Sequence, residues 1–210
     1  MKLKLVTLLI ILSIAVILFS YLKNEKQETM SNEILAPQPN VLLIIAAEGF
    51  QDLEYQGTRK ALEEKNIKVT VASSIKGKAI GKFGQEVNID QTIDQIEVND
   101  FEAIVFIGGP GAVEYINNAA AQQLAQAAIE KDKVLGAICI APSILAQAGV
   151  LKDKKATVWS SDLDQSNIKI LKDQEVEYVD QSVVVDGKIV TANGPAAAEE
   201  FGQTIAELLK

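Results

Sequence analysis

Along residues 40–46, Asn-Val-Leu-Leu-Ile-Ile-Ala, apolar side chains follow one another with no polar alternation. A strand of that kind belongs in a parallel sheet covered on both faces. Residues 103–107 and 134–138 have the same character, and 67–72 alternates as a further strand. Helical spacing fills the gaps. In 52–65, Leu53, Gly57, Ala61 and Leu62 share one side, with charges opposite; 118–131 is alanine-rich. A helix over 142–148 opens on Pro142, where the first turn tolerates proline. Residues 78–89 mix glycines with short alternations, which predicts a small hairpin or extended excursion. Strands are expected at 156–159 and 176–179, a hairpin at 182–186 and 188–192 around Gly187, and a closing amphipathic helix at 196–209. The alternation predicts an α/β fold: a doubly wound, mostly parallel sheet with helices on both faces.

In open parallel sheets, ligands bind at the carboxyl ends of the strands, near the switch in strand order. Three segments collect there: 48–54 after the first strand, Gly108-Gly-Pro-Gly111 after the third, and Cys139 directly after 134–138. Cys139 is the only cysteine. It falls on a strand-to-helix turn, close to a helix N-terminus whose free N–H groups favour an anion, so its thiol is expected to ionise more easily than a free one. The alternative is a small buried hydrophobe. The N–H groups of Gly109 and Ile140 are placed to stabilise an oxyanion; the alternative for 108–111 is a plain tight turn. No Gly-Lys-Ser/Thr follows, so this is not a phosphate loop.

What the chain lacks narrows the chemistry. It contains no histidine, which excludes Cys-His and Ser-His relays within a subunit and in any homo-oligomer. Imidazole metal sites go with them, and one cysteine cannot build a thiolate cage, so no metal and no cofactor are expected. Lys and Arg number 20 against 28 Asp and Glu, a net charge of −8. With no basic cluster, nucleic acid is not an expected partner.

The N-terminus carries a separate signal. Met1-Lys-Leu-Lys precedes residues 6–22, apolar apart from Thr7, Ser13, Ser20 and Tyr21. A stretch of about 17 residues is the lower limit for crossing a bilayer. No small-residue cleavage site follows, so 1–22 reads as an uncleaved signal anchor, a transmembrane helix, with a cleaved secretion signal as the alternative. Residues 23–39, polar and ending in Ala36-Pro-Gln-Pro39, read as a flexible linker. The domain at 40–210 is then expected on the outer side of the cytoplasmic membrane, or secreted.

The motifs together resemble the ThiJ/PfpI family, within the class I glutamine-amidotransferase-like superfamily. The resemblance runs from about Asn40 to the C-terminus. It rests on Glu48-Gly-Phe-Gln-Asp-Leu-Glu54, Ile107-Gly-Gly-Pro-Gly-Ala112, Ala137-Ile-Cys-Ile-Ala-Pro-Ser-Ile-Leu145 with Ala148-Gly-Val-Leu151, and Asp186-Gly-Lys-Ile-Val-Thr-Ala-Asn-Gly-Pro195. It implies a flavodoxin-like fold in which Cys139 is a strained elbow cysteine. It further implies that the Glu54 carboxyl contacts that sulfur and that Gly109 supplies an oxyanion-hole N–H. Dimers are common in the family. The sequence departs from the family's histidine-bearing members: Ile140 follows the cysteine where peptidase-like members carry histidine, and Trp159 stands where others place one. Ser160, Ser161 and Asp162 come next and are candidates for the missing polar group, with Trp159 and Ser160 as accessory residues.

The surviving chemistry needs only sulfur and carboxyl. A buried Glu54 beside a thiolate should have a raised pKa and could donate a hydrogen bond to the thiolate or to a sulfinate. Two functions fit. One is an enzyme using Cys139 and Glu54 on reactive carbonyl or glycated small molecules; the other is a non-catalytic redox sensor or stress-protective binding protein. Peptidase activity is not expected.

Overall fold

The structure, a computed structural model, describes residues 17–26 and 38–210. Residues 17–26 are helical and carry Lys23, Glu25 and Lys26 in their last turn. The expected membrane-spanning anchor is corrected: among the described residues, no helix is long and apolar enough to cross a membrane. Three charges in ten residues are the physical reason within the described helix. Residues 6–16 of the expected span, and 27–37 of the expected linker, lie outside the described residues. The membrane as a partner and the single-pass membrane location rested on that anchor and are withdrawn with it.

From residue 39 onward the chain folds as a unit. It begins with β1 (Asn40–Ile44), then β2 (Glu48–Phe50), α1 (Asp52–Glu63) and β3 (Lys68–Ser73). A hairpin, β4 (Gly77–Gly81) and β5 (Glu86–Ile89), leads to β6 (Gln91–Thr92) and β7 (Ala103–Phe106). Next come α2 (Val113–Ile116), α3 (Ala119–Glu130), β8 (Val134–Ile138) and α4 (Pro142–Gln147). The remainder is β9 (Lys155–Ala156), α5 (Ser166–Asp173), β10 (Glu177–Tyr178), β11 (Val183–Asp186), β12 (Ile189–Ala192) and α6 (Ala198–Leu208).

The main sheet runs β11-β12-β8-β7-β1-β3-β6. All neighbours are parallel except β11 with β12. The chain moves outward from β1 to β3, then returns to place β7 on the other side of β1. The switch in strand order therefore lies between β1 and β7, and it opens a crevice at their carboxyl ends. β1, β7 and β8 are buried along almost their whole length, which explains their unbroken apolar runs.

Helices cover this sheet in two groups, α1 with α6 and α3 with α4. The α1–α6 contact is close because glycines sit in it. A Cβ at Gly57 would crowd Ala198, and one at Gly202 would crowd Ala61 and Thr58. Leu53, expected on the buried side of α1, is 56% exposed. The buried face instead carries Glu54, Tyr55, Thr58, Ala61 and Leu62, so the helix is rotated to turn a carboxylate inward. Two small sheets lie outside the main one. β9 pairs only with β10, and the β4–β5 hairpin is joined by β2 into a three-stranded sheet.

Candidate active site

Cys139 follows β8 directly and takes φ of 64°, in the left-handed region. Asn66, Asp132, Asp153 and Glu175 also have positive φ, but all four are exposed. Cys139 is buried, with 8% of its surface accessible. A left-handed conformation costs an L-residue about 1–2 kcal/mol, and the fold imposes it from both sides. The Cys139 N–H donates to the Ala192 carbonyl at the end of β12, at 2.8 Å, and the Cys139 carbonyl accepts from Trp159 N–H at 2.8 Å. The elbow is locked between a sheet strand and the loop after β9.

Glu54 reaches the same point from the first turn of α1. It has no accessible surface, and its Oε2 accepts from the Gly108 N–H at 3.1 Å. Oε1 has no hydrogen-bond partner among the described residues, and the Cys139 thiol is the group that acts most strongly on the carboxyl after burial itself. Gly108 makes this approach possible, since a Cβ there would overlap both the Cys139 Cβ and Glu54 Oε2. Gly109, at φ 106°, passes so close to Gly49, Phe50 and Gln51 that no side chain fits.

Burial dominates the electrostatics. It pushes the Glu54 carboxyl up to about 7, against the pull of the thiol hydrogen bond, the Gly108 N–H and the Lys82 charge. Burial also pushes the Cys139 thiol up to about 12, helped by the neighbouring Glu54 charge. The N–H groups of Gly109 and Ile140 donate toward the sulfur and act the other way. The thiol therefore does not ionise more easily than a free one, contrary to the sequence-based expectation. α4 is only six residues long, and its terminus does not outweigh burial and a carboxylate. The two groups instead titrate as a pair that gives up one proton near neutrality and the other far above it.

Cys139 opens onto a cavity of about 250 Å³ whose walls include Gln51, Lys82, Pro110, Ile140, Trp159 and Pro195. Trp159 and Ile140 supply apolar wall, as does Pro195, and among the described residues Lys82 is the one charged residue lining it. Ser160 does not line it, nor do Ser161 and Asp162. Trp159 is held from behind by Asn167, whose Nδ2 donates to the Trp159 carbonyl at 3.4 Å and whose Oδ1 meets Ser143 Oγ at 3.2 Å. A larger open groove of about 780 Å³, lined by Tyr55, Arg59 and Glu86 among others, lies beside α1 and holds no cysteine. Its Arg59 is already paired with Glu63 and the Tyr55 hydroxyl.

The structure thus brings Cys139, Glu54, Gly109 and Ile140 together, sets Trp159 in the cavity wall and leaves Ser160 out. Lys82 and Gln51 are additions the sequence reading missed. Lys82 sits between Gly81 and Gly84 in the hairpin turn, a glycine-flanked lysine that reads as an ordinary solvated turn. Only the pairing of β4 with β2 carries it to the crevice.

The DJ-1/PfpI family model matches residues 39–208, the whole of the folded unit apart from its last residues. The chain belongs to the DJ-1/PfpI family. Among its relatives, an uncharacterised protein of Methanocaldococcus jannaschii is 37% identical over 188 residues, 89% of this chain and 87% of that protein. The deglycase TK1284 of Thermococcus kodakarensis is 33% identical over 80% of this chain and 99% of its own length. The crystal structure of a ThiJ/PfpI domain protein from Brachyspira murdochii superposes with a TM-score of 0.78 at 29% identity, over 82% of this chain and 98% of that one.

Proposed function

We propose that this family member captures reactive carbonyl compounds at Cys139, with Glu54 managing the proton. One observation carries the reading. Cys139 lines a small, partly apolar cavity, and its sulfur is acted on by two backbone N–H donors and one buried carboxyl that titrates near neutrality. Attack on an aldehyde forms a C–S bond while the carbonyl π pair moves to oxygen. The alkoxide takes a proton held by Glu54, and the thiol proton replaces it on the carboxyl. The product is a hemithioacetal with atoms and charge balanced. The chemistry needs no imidazole, and the deglycase name of a relative with full-length coverage agrees with it. A small molecule is the partner; a homodimer, expected from the resemblance, belongs to the same reading.

A second reading has an observation of its own. The N–H groups of Gly109 and Ile140 and a protonated Glu54 suit a sulfinate on Cys139 as well as they suit an adduct. Incubation of the full chain with methylglyoxal, followed by intact mass and by loss of the aldehyde, separates the two. The carbonyl reading requires aldehyde loss that disappears in Cys139→Ala. Equal aldehyde loss in both proteins, with clean sulfinate formation by mild peroxide, would leave the redox reading in its place.

A further inference from the structure

We infer that Lys82 is a specificity-determining residue that selects carbonyl compounds bearing an anionic group, above all a carboxylate, for reaction at Cys139. The inference rests on the reading of Cys139 as the reacting group and adds the substrate class. Among the described residues, Lys82 is the one charged residue lining the cavity into which Cys139 opens, in a chain whose net charge of −8 otherwise repels anions. Among the described residues its ammonium makes no salt bridge; Nζ stands 5.3 Å from the Phe83 ring centroid, and its charge is felt by the Glu54 carboxyl. An ammonium without a salt bridge at a partly apolar cavity is a ready partner for a carboxylate.

The backbone beneath Lys82 is fixed rather than loose. Its N–H donates to the Phe50 carbonyl at 2.8 Å, and Gly81 N–H donates to Gln85 at 2.8 Å. Asp52, buried in the first turn of α1, accepts from Phe83 N–H at 2.9 Å through Oδ2 and from Gln85 N–H at 2.9 Å through Oδ1. One helical turn therefore positions both the carboxyl partner of the sulfur, Glu54, and the turn that presents the lysine. A short 2-oxo acid or aldehyde acid could place its carbonyl on Cys139 and its carboxylate on Lys82.

Paired alkylating agents test the charge alone. Cys139 is labelled with iodoacetate and with neutral iodoacetamide, near-isosteric reagents, in the wild type, Lys82→Met and Lys82→Arg. The iodoacetate-to-iodoacetamide rate ratio should fall about tenfold in Lys82→Met, the size of one charge contact near the surface, and survive in Lys82→Arg. The iodoacetamide rate reports any indirect effect on the sulfur. Glyoxylate and methylglyoxal adducts are then measured by mass. An alkylation ratio that moves while neither aldehyde adds would retain the anion subsite and remove the carbonyl function. An unchanged ratio, with both aldehydes adding equally to wild type and Lys82→Met, would overturn the role of Lys82 and leave the carbonyl function standing.

Discussion

Asp52 and Glu54 leave the same turn of α1, are both buried, and do opposite work. Each oxygen of Asp52 accepts a backbone N–H, from Phe83 and from Gln85, so its charge is spent on holding a hairpin turn. Glu54 accepts one N–H, from Gly108, and its other oxygen has no nitrogen or oxygen donor. Full burial with too few donors makes its carboxyl reluctant to ionise, and the thiol beside it becomes its proton partner. Two carboxylates in one helical turn differ in the number of donors each receives, and on the proposed reading one is a clamp and the other a proton carrier.

The largest effect separating them is a pH dependence. Glu54 moves from 4.5 to about 7 on folding. Below 4.5 it is protonated in both states; between the two values the unfolded chain has lost the proton and the native state keeps it. Stability therefore declines as pH rises through this window, by about 3 kcal/mol for a shift of this size. Denaturant midpoints from pH 4 to 8 should show that decline against Glu54→Gln, and parallel curves for the two proteins would break the contrast. Next in size is chemistry: Glu54→Gln should slow formation of the aldehyde adduct about 100-fold, a typical share for general acid–base assistance. Asp52→Ala should leave that rate within about twofold for an uncharged aldehyde such as methylglyoxal yet cost about 2 kcal/mol in urea unfolding, because it strands two backbone donors. A reversal of these two outcomes would mean that the roles have been assigned the wrong way round. A smaller effect sharpens the elbow. Cys139→Gly should exceed Cys139→Ala in stability by about 1 kcal/mol, since glycine accepts φ of 64° without strain. Smallest of all, Ser160→Ala should change labelling of Cys139 by less than about twofold, because surface substitutions away from the site act weakly.

The sheet was legible in the sequence because its central strands are buried on both faces and show it as unbroken apolar runs. Helices α1, α3 and α6 and the β4–β5 and β11–β12 hairpins were readable from spacing and glycine. Helix α5 was not, since its buried apolar anchors are only Ile168 and Leu171, too few to set a period. The strands expected at 156–159 and 176–179 shrink to the short pair β9 and β10, outside the main sheet. At the site, Cys139 and the glycine run were visible from local order along the chain, and Glu54 came from the family resemblance. The state of the thiol was not legible, because burial and the neighbouring carboxylate depend on how α1 is rotated. Nor was Lys82, which reaches the cavity through a strand pairing distant in sequence. The N-terminal anchor was an expectation from an apolar stretch with no cleavage site after it, and the described helix does not have the length or apolar character to support it.

The central claim is that Cys139 and Glu54 share a proton, and the pH profile of Cys139 alkylation by iodoacetamide in the native protein tests it most directly. The wild type should step upward near pH 7, as the pair gives up its first proton, and rise again only toward pH 12. Glu54→Gln should lose the lower step and show one rise, displaced downward from the upper one because the neighbouring negative charge is gone. Superimposable single-step profiles in the two proteins would show that sulfur and carboxyl titrate independently, and would contradict the account.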